Sequence, residues 1–345
     1  MNNMSQSASQ FDTARVALLG IPVDRLDTVG VLERIFDLIS TPGKRPCRIL
    51  ATLNVDFIVN ALSFGPHRCK PGLLEVLREA ALVTPDGMPL VLLSRLLGCP
   101  LPERVAGADL VPMIAQRAAA TGKKLYFLGG EPEASNRAAG LLTERYPGLQ
   151  IVGVDTPFVK LDDTEETIAQ NAAICDKINA AAPDLLLVAF GNPKQELWLA
   201  GNVARLNIPA AIGIGGSFNF LCGKVRRAPR WVQISGLEWI YRIIQEPKRL
   251  WKRYLLGFIV FNGLSALAIS AAALGLLLRP FSGHAIQRDT GDAVELDCDG
   301  VLFAGNSFRM CFLDAWLHAR RNHREFRTVH ANGLLRLQMA AHRLD

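Results

Sequence analysis

One aspartate in a turn rich in proline and glycine has the clearest capacity for acid-base chemistry. Asp86 lies in the segment TPDGMP (84–89), directly after the apolar stretch 80–83. A carboxylate within hydrogen-bond reach of a sugar hydroxyl can take its proton as that hydroxyl attacks a substrate. The alternative is that Asp86 only accepts hydrogen bonds from its own turn, as aspartates in turns commonly do. We therefore treat Asp86 as a candidate catalytic base.

Three glycine turns follow apolar runs that are typical of strands. They contain Gly129 with Gly130, the segment GNP (191–193), and Gly213 with Gly215 and Gly216. Glycine permits close backbone approach to a ligand, and the helix that follows offers N–H groups to phosphate. None of these turns has the dinucleotide-binding or phosphate-loop pattern. A nucleoside diphosphate is the ligand they suit, and the alternative is that each is an ordinary turn.

Polar residues recur beside these predicted strand ends. Thr52 and Asn54 follow the apolar run 49–51, and Gln195 lies at a predicted helix start. Side chains of these types bind ligands in clefts, but they also cap helices. Arg104 is either a phosphate-binding residue or part of a surface ion pair, and Asp109 is placed to cap the helix after it.

No metal site or cofactor is predicted. The six histidines lie mostly near the C-terminus and lack carboxylates at ligand spacing. The seven cysteines are scattered and odd in number, which favours a reducing compartment. A departing diphosphate would then be neutralised by arginines and helix N-termini.

The elements that must position these residues alternate between short apolar runs and amphipathic stretches. This alternation predicts an α/β fold with a mainly parallel, Rossmann-like sheet and helices on both faces. We predict strands at 49–53, 124–128, 151–154, 185–190 and 210–214. We predict helices at 29–39, 110–120, 133–146 and 164–181, and we assign residues 15–224 to this core.

Composition supports a globular protein that meets an anionic surface. Of 345 residues, 50% are hydrophobic and 20% charged, the net charge is +6, and the mean hydropathy is +0.19. These values exclude wholesale disorder and indicate contact with lipid. The charge excess suits phosphate or acidic lipid but is too small to indicate nucleic acid. Residues 1–14 lack the features of a secretory signal and are predicted to be a disordered tail.

The C-terminal third changes in character. Residues 225–254 interleave aromatic and basic residues, as in segments that lie in a lipid headgroup layer, although an ordinary packing helix is the alternative. Residues 255–278 carry no charge and are long enough to span a bilayer, or else form a half-inserted or protein-buried helix. Residues 284–345 are predicted to be a small α+β module that weakly resembles part of a STAS-type regulatory domain.

Seven sequence blocks, in order, resemble the bacterial WecG/TagA/CpsF glycosyltransferases, and they cover roughly residues 15–257, about two thirds of the chain. The blocks are TLNVDFIVNA from Thr52, TPDGMPLV from Thr84, RVAGADLV from Arg104, YFLGGEPEAS, AFGNPKQELW, GIGGSFNFLCGKVRRAPRWV and GLEWIYRIIQEPKRLWKRYLLG.

The resemblance implies an enzyme of cell-surface polysaccharide biosynthesis. Such an enzyme transfers an N-acetylmannosamine-type sugar or a hexose from a UDP-sugar to a polyprenyl-diphosphate-linked saccharide. It inverts the anomeric centre and needs no metal. Carried over by motif, Asp86 is the general base, and Thr52 and Asn54 line the sugar pocket. Gln195 and the turn from Gly213 to Phe218 hold the nucleotide. The resemblance also implies that residues 225–254 form a membrane-binding appendage. Its implied diphosphate-binding residues are Arg226, Arg227, Arg230 and Arg249.

One departure from the family pattern concerns the nucleotide. Asn219 stands where the family usually has aspartate, which removes a charge from the predicted donor site. The resemblance places the enzyme at the cytoplasmic face of the bacterial inner membrane, either peripheral or anchored by a single span. A homo-oligomer or a protein partner of the C-terminal module stays open. The alternatives are a nucleotide-dependent oxidoreductase and a non-catalytic membrane scaffold.

Overall fold

The computed structural model describes residues 15–41, 46–62, 72–229, 231–232 and 237–277. The chain separates into two compact units, residues 1–269 and 270–345. The predicted tail 1–14, Arg230 and the predicted module 284–345 lie outside the described residues, as does the side chain of Arg249.

Within the described residues, eight strands form two sheets. The strands are β1 (Arg15–Leu18), β2 (Ile21–Asp24), β3 (Arg48–Leu53), β4 (Leu82–Pro85), β5 (Lys124–Gly129), β6 (Gln150–Asp155), β7 (Leu185–Ala189) and β8 (Ala210–Gly213). Strands β1 and β2 form an antiparallel hairpin. The other six form one parallel sheet in the order β4-β3-β8-β7-β5-β6. The predicted parallel α/β sheet is confirmed.

The helices in the described ranges flank this sheet. They are α1 (Thr28–Ser40), α2 (Val55–Leu62), α3 (Leu73–Glu79), α4 (Met88–Leu96), α5 (Gly107–Thr121), α6 (Pro132–Arg145), α7 (Glu165–Ala181), α8 (Lys194–Asn202), α9 (Ser217–Leu221), α10 (Glu238–Gln245) and α11 (Pro247–Leu277). The four predicted helices are confirmed as α1, α5, α6 and α7. The start of α7 is capped by Thr164, whose hydroxyl accepts from the Thr167 N–H at 3.3 Å.

Both faces of the sheet are covered by apolar cores. Consecutive residues of β5 point to opposite sides, so Phe127 joins one core and Tyr126 the other. On the first side Phe127 stacks on Phe218 of α9 with ring centroids 4.6 Å apart. On the second side Trp198 of α8 is fully buried. Each such buried side chain contributes about 1.5–3 kcal/mol to stability, which explains why the continuous apolar runs form interior strands.

The hairpin braces the edge strand of the sheet. The buried carboxylate of Asp24 accepts from the Val83 N–H at 2.8 Å and from the Arg15 guanidinium at 3.0 Å. Arg15 also donates to the carbonyls of Ala80 and Ala81 at 3.2 and 2.8 Å. Backbone groups at the outer edge of β4 are therefore bonded by side chains of β1 and β2. This fixes the strand that leads into Asp86.

Helices α10 and α11 carry the aromatic and basic stretch that follows the core. Exposed apolar side chains on these helices include Ile240, Ile244, Trp251, Phe258 and Ile259. Residues 255–277 lie within α11. Among the described residues, this stretch included, no helix combines the length and the apolar character that crossing a membrane requires.

Candidate active site

A cleft of about 770 Å³ opens at the carboxyl ends of the parallel strands. This is the edge at which open α/β sheets bind ligands, and the volume suits a nucleotide sugar. Ten of the sequence-predicted residues line it: Thr52, Asn54, Asp86, Arg104, Gly130, Gln195, Gly215, Gly216, Asn219 and Arg227. The structure thus brings most of the predicted site together. Gly129, Gly213 and Arg226 are not part of the lining.

Asp86 follows β4 and is held there by the sheet. Its N–H donates to the carbonyl of Leu53 at 2.6 Å, which continues the pairing of β4 with β3. The residue is partly buried and lines the cleft. Because β4 is braced on one side by the hairpin and on the other by β3, Asp86 has a rigid support.

Burial dominates the electrostatics of Asp86. It raises the pKa of the carboxyl from 3.8 to about 6. The positive charge of Arg104 opposes this rise, and the negative charge of Glu238 adds to it. The N–H of Gly107 and the charge of Arg242 lower the pKa by smaller amounts. At neutral pH this carboxylate is ionised and is a stronger base than an exposed aspartate, as general base catalysis requires.

Four charged side chains form a closed ring beside Asp86. Arg104 donates to Asp109 at 3.0 Å and to Glu238 at 3.1 Å. Arg227 contacts the same two carboxylates, with Asp109 at 2.9 Å and Glu238 at 3.7 Å. Arg104 and Asp109 belong to the core, whereas Glu238 lies on α10. Asp109 lies in the first turn of α5, where its carboxylate binds the two arginines. It does not cap the helix as predicted, because the N-cap position is occupied by Ala106.

Two arginines approach one aromatic ring at the cleft. The guanidinium carbons of Arg227 and Arg242 each lie 5.4 Å from the centroid of the Phe220 ring. This is within the range of cation–π attraction. The Nε of Arg242 is buried and has no hydrogen-bond partner among the described residues. Arg242 therefore brings a third arginine to the cleft, after Arg104 and Arg227.

Gln195 joins two of the glycine turns. Its side-chain oxygen accepts from the N–H of Gly191 at 3.2 Å and of Gly215 at 3.1 Å. Its amide nitrogen donates to Glu196 at 2.7 Å. Glu196 is fully buried, and burial raises the pKa of its carboxyl to about 8. Gln195 thus holds the backbone of the cleft in place.

The glycines serve two different purposes. A side chain on Gly213 would overlap Gln195 and Glu196, and one on Gly130 would overlap Ser135, so these positions need glycine for packing. Gly215 and Gly216 both have open space where a side chain would extend. Gly215 also has a positive φ of 55°. Gly215 and Gly216 are the glycines that leave room for a ligand.

Thr52 and Asn54 have structural partners as well as places in the cleft. The Thr52 hydroxyl donates to the Gly213 carbonyl at 3.0 Å and so ties β3 to β8. The side-chain oxygen of Asn54 accepts from the Asp56 N–H at 3.0 Å at the start of α2, which is the capping interaction considered as the alternative. Both residues line the cleft while making these bonds.

Arg226 is placed elsewhere. It is exposed, and its backbone N–H and carbonyl bond to the side chain of Gln245 at 3.2 and 3.0 Å. Neighbouring Arg227 is the one that lines the cleft, where it contacts Asp109 and Glu238. Arg230 and the side chain of Arg249 lie outside the described residues.

Sequence reasoning missed several residues of the cleft. Glu238 and Arg242 lie in the block GLEWIYRIIQ, whose basic and aromatic residues were assigned to lipid contact. Their spacing of four places both on one side of α10, but no local pattern in the sequence shows that this side packs against the core. Asn192, in the predicted turn 191–193, lines the cleft, and its side-chain nitrogen is buried without a partner among the described residues.

The described residues contain no group of three His, Cys, Asp or Glu placed to hold a metal ion. Metal independence stays a prediction. Four described cysteines are buried free thiols: Cys47, Cys99, Cys175 and Cys222.

Comparison with known proteins bears on the class of reaction. Three relatives each carry the name N-acetylglucosaminyldiphosphoundecaprenol N-acetyl-beta-D-mannosaminyltransferase. The one from Bacillus spizizenii (strain ATCC 23059 / NRRL B-14472 / W23) is 34% identical over 180 residues, 52% of this chain and 66% of the relative. The Bacillus subtilis (strain 168) protein is 31% identical over 207 residues, 60% of this chain and 75% of the relative. The Staphylococcus aureus (strain MW2) protein is 27% identical over 239 residues, 69% and 88% of the two chains.

A family profile extends the match across the whole cleft. Residues 16–271 match the profile described as Glycosyl transferase WecG/TagA/CpsF family. This range contains β3 to β8, the ring of four charges and α10. It favours the transferase prediction over the oxidoreductase and scaffold alternatives. The chain belongs to the WecG/TagA/CpsF family of glycosyl transferases.

Proposed function

We propose that the chain is an inverting glycosyltransferase that moves an N-acetylmannosamine-type sugar or a hexose from a UDP-sugar to a polyprenyl-diphosphate-linked saccharide. Family membership supports the transferase class. The names of the relatives support a lipid-linked N-acetylglucosamine as the first acceptor to test and N-acetylmannosamine as the first donor sugar.

The single observation that carries the mechanism is the position of Asp86 in a cleft lined by three arginines. In the proposed step, Asp86 takes the proton of the acceptor hydroxyl. The hydroxyl oxygen forms a bond to the anomeric carbon on the face opposite the diphosphate. The bond from that carbon to the diphosphate oxygen breaks, and its electron pair leaves with UDP.

The arginines supply the countercharge for this departure. Arg104, Arg227 and Arg242 line the cleft and oppose the negative charge that develops on the diphosphate. Positioned side-chain cations can perform this role without a metal ion. We therefore include metal independence in the proposal.

The exposed apolar side chains of α10 and α11 support work at a membrane surface. They lie near the exposed cation Lys248 at the start of α11, a combination that suits anionic headgroups. An acceptor with a polyprenyl tail would remain in the bilayer while its saccharide enters the cleft. We propose that the enzyme works at the cytoplasmic face of the membrane, either as a peripheral protein or anchored by a single span.

The function is tested by incubating the full chain with a panel of UDP-sugars and undecaprenyl-diphosphate-linked N-acetylglucosamine, with EDTA present. We expect one sugar to be added to the acceptor, detected by mass. Transfer only when a divalent cation replaces EDTA would contradict metal independence. No mass increase with any UDP-sugar, and transfer from another nucleotide sugar, would contradict the donor class.

The role of Asp86 is tested in the same assay. We expect Asp86→Asn to reduce turnover by about 10²–10⁴-fold and to leave UDP-sugar binding intact. Asp37→Asn, on the exposed side of α1, is the control and should retain full activity. Full turnover by Asp86→Asn would exclude it as the base.

A further inference from the structure

Glu238 stands where helix α10 meets the core. One of its carboxylate oxygens accepts from Arg104 at 3.1 Å, and the other lies 3.7 Å from the Nε of Arg227. Its side chain is about four-fifths buried and lines the cleft together with Asp86. A residue of the appendage is thus built into the surroundings of the proposed base.

Asp109 provides a natural comparison. It contacts the same two arginines, Arg104 at 3.0 Å and Arg227 at 2.9 Å. It is more exposed than Glu238 and is not part of the cleft lining. The charge of Glu238 raises the pKa of Asp86, and Glu238 is the acidic residue of the ring that lines the same cleft as Asp86. The two carboxylates therefore share a role in the ring but differ in their effect on the base.

We propose that Glu238 is a positioning residue for the transfer reaction. Its ion pair with Arg104, at 3.1 Å, holds that arginine beside Asp86, because Val105, the residue after Arg104, donates its N–H to the carbonyl of Pro85 at 2.9 Å. Glu238 thereby affects how Asp86 removes the proton. This inference rests on the proposed role of Asp86 as the base.

The charges around Asp86 explain the direction of the effect. Arg104 lies between the core and α10, Glu238 and Arg242 face Asp86 from α10, and the Gly107 N–H faces it from the start of α5. Glu238 is the acidic member of this group and raises the pKa of Asp86. When its charge is removed, the two arginines act on Asp86 with less opposition. The base then becomes weaker and ionises at lower pH.

The test compares the acid limb of the pH profile of kcat/KM in three full-length variants. Glu238→Gln can still accept a hydrogen bond from Arg104. For this variant we expect the acid limb to shift to lower pH by about 0.5–1 unit and the plateau value of kcat/KM to fall. Glu238→Asp keeps the charge and should keep the wild-type limb. Asp109→Asn removes a negative charge that contacts the same arginines and should also keep the wild-type limb.

The outcomes separate a positioning role from a structural one. An unmoved limb in Glu238→Gln overturns the inference, and so does an equal displacement in Asp109→Asn, because loss of the ring would then be the cause. Thermal unfolding of each variant confirms that the compared proteins are folded. If Asp86→Asn were fully active, the proposed base itself would fail. If Asp86→Asn is inactive and the limb of Glu238→Gln is unmoved, only the proposed role of Glu238 fails.

Discussion

Asp86, which lines the cleft, and Glu196, which is buried behind it next to Gln195, are carboxyl groups with opposite surroundings. Asp86 has cations beside it, so it remains ionised at neutral pH in spite of its burial. One oxygen of Glu196 accepts from the amide of Gln195, and its second oxygen has no partner among the described residues. Environment therefore assigns a proton to Glu196 and leaves Asp86 able to accept one.

The pKa of Asp86 predicts the pH dependence of the reaction. Because only the ionised carboxylate accepts a proton, kcat/KM should increase about tenfold per pH unit below pH 6 and level off above it. Initial rates between pH 4.5 and 8 at constant ionic strength would show this limb. A rate that stays constant between pH 5 and 7 would contradict the assignment.

Burial of Glu196 predicts a pH-dependent loss of stability. An unfolded glutamate ionises near pH 4.3, whereas burial raises the pKa in the folded protein to about 8. Between these values the folded state binds the extra proton, so the free energy of unfolding decreases as the pH rises. Glutamine does not titrate. We therefore expect the Tm of Glu196→Gln minus the Tm of wild type to increase from pH 5 to pH 8.

Thermal unfolding across that pH range measures the difference. Glu144→Gln, at an exposed position of α6, is the matched control and should show a constant difference from wild type. A constant difference for Glu196→Gln as well would mean that this carboxyl group does not hold the extra proton.

At the scale of single residues, the sequence predicts which side chains at strand ends lie in the cleft, but it does not predict which side chains of α10 do. Asp86, Thr52 and Gln195 could be placed because parallel strands end at one edge of a sheet. Glu238 and Arg242 could not, because their role depends on how α10 packs against the core. That packing is a tertiary contact and leaves no local pattern that distinguishes it from a lipid-facing helix.

The loops between strands and helices decide the shape of the cleft. The turn after β7 and the turn after β8 are joined through one side chain, Gln195. Gly213, at the end of β8, leaves room for that side chain and for Glu196. The packing of this glycine is therefore as important to the cleft as the open space at Gly215 and Gly216.

This difference between neighbouring glycines can be measured. Gly213→Ala should lower the stability by about 1–3 kcal/mol, because the new methyl group overlaps Gln195 and Glu196. Gly216→Ala is the matched control, since no atom lies within 4 Å of the added carbon. Urea unfolding of both variants provides the comparison. Equal stability of the two would show that Gln195 and Glu196 can move aside without cost.

Element prediction succeeded for five of the six strands of the parallel sheet. Strands β3, β5, β6, β7 and β8 were predicted to within two residues because each contains a continuous apolar run. Strand β4, the hairpin β1–β2 and the short helices α2 to α4 were not predicted separately. These elements are stabilised by contacts distant in sequence, such as that between Asp24 and Val83.

At the scale of the whole molecule, the core and the appendage share one charged site. The ring of Arg104, Asp109, Arg227 and Glu238 joins α10 to the loop before α5. Ion pairs of this kind are specific in geometry but contribute modestly to stability when partly exposed. The same segment presents apolar side chains outwards. It can therefore contact a bilayer with one surface and the cleft with the other.

Membrane contact predicts a loss of vesicle binding when this outer surface is made polar. Ile244 is 72% exposed, and replacing Ile244 and Trp251 by serine should weaken binding to anionic phospholipid vesicles at least tenfold. Leu96→Ser, at a position 69% exposed on α4, is the control. Vesicle sedimentation gives the affinities. An equal loss in Leu96→Ser, or none in the double variant, would contradict the assigned surface.

The hairpin has a consequence for association between copies of the chain. An uncovered edge strand recruits foreign strands by backbone pairing, and this leads to aggregation. Here Asp24 and Arg15 already hold backbone groups of Val83, Ala80 and Ala81. The hairpin therefore blocks the addition of a foreign strand beside β4. A truncation that removed β1 and β2 would weaken the support of Asp86 and, at the same time, expose an unpaired strand edge to other copies of the chain.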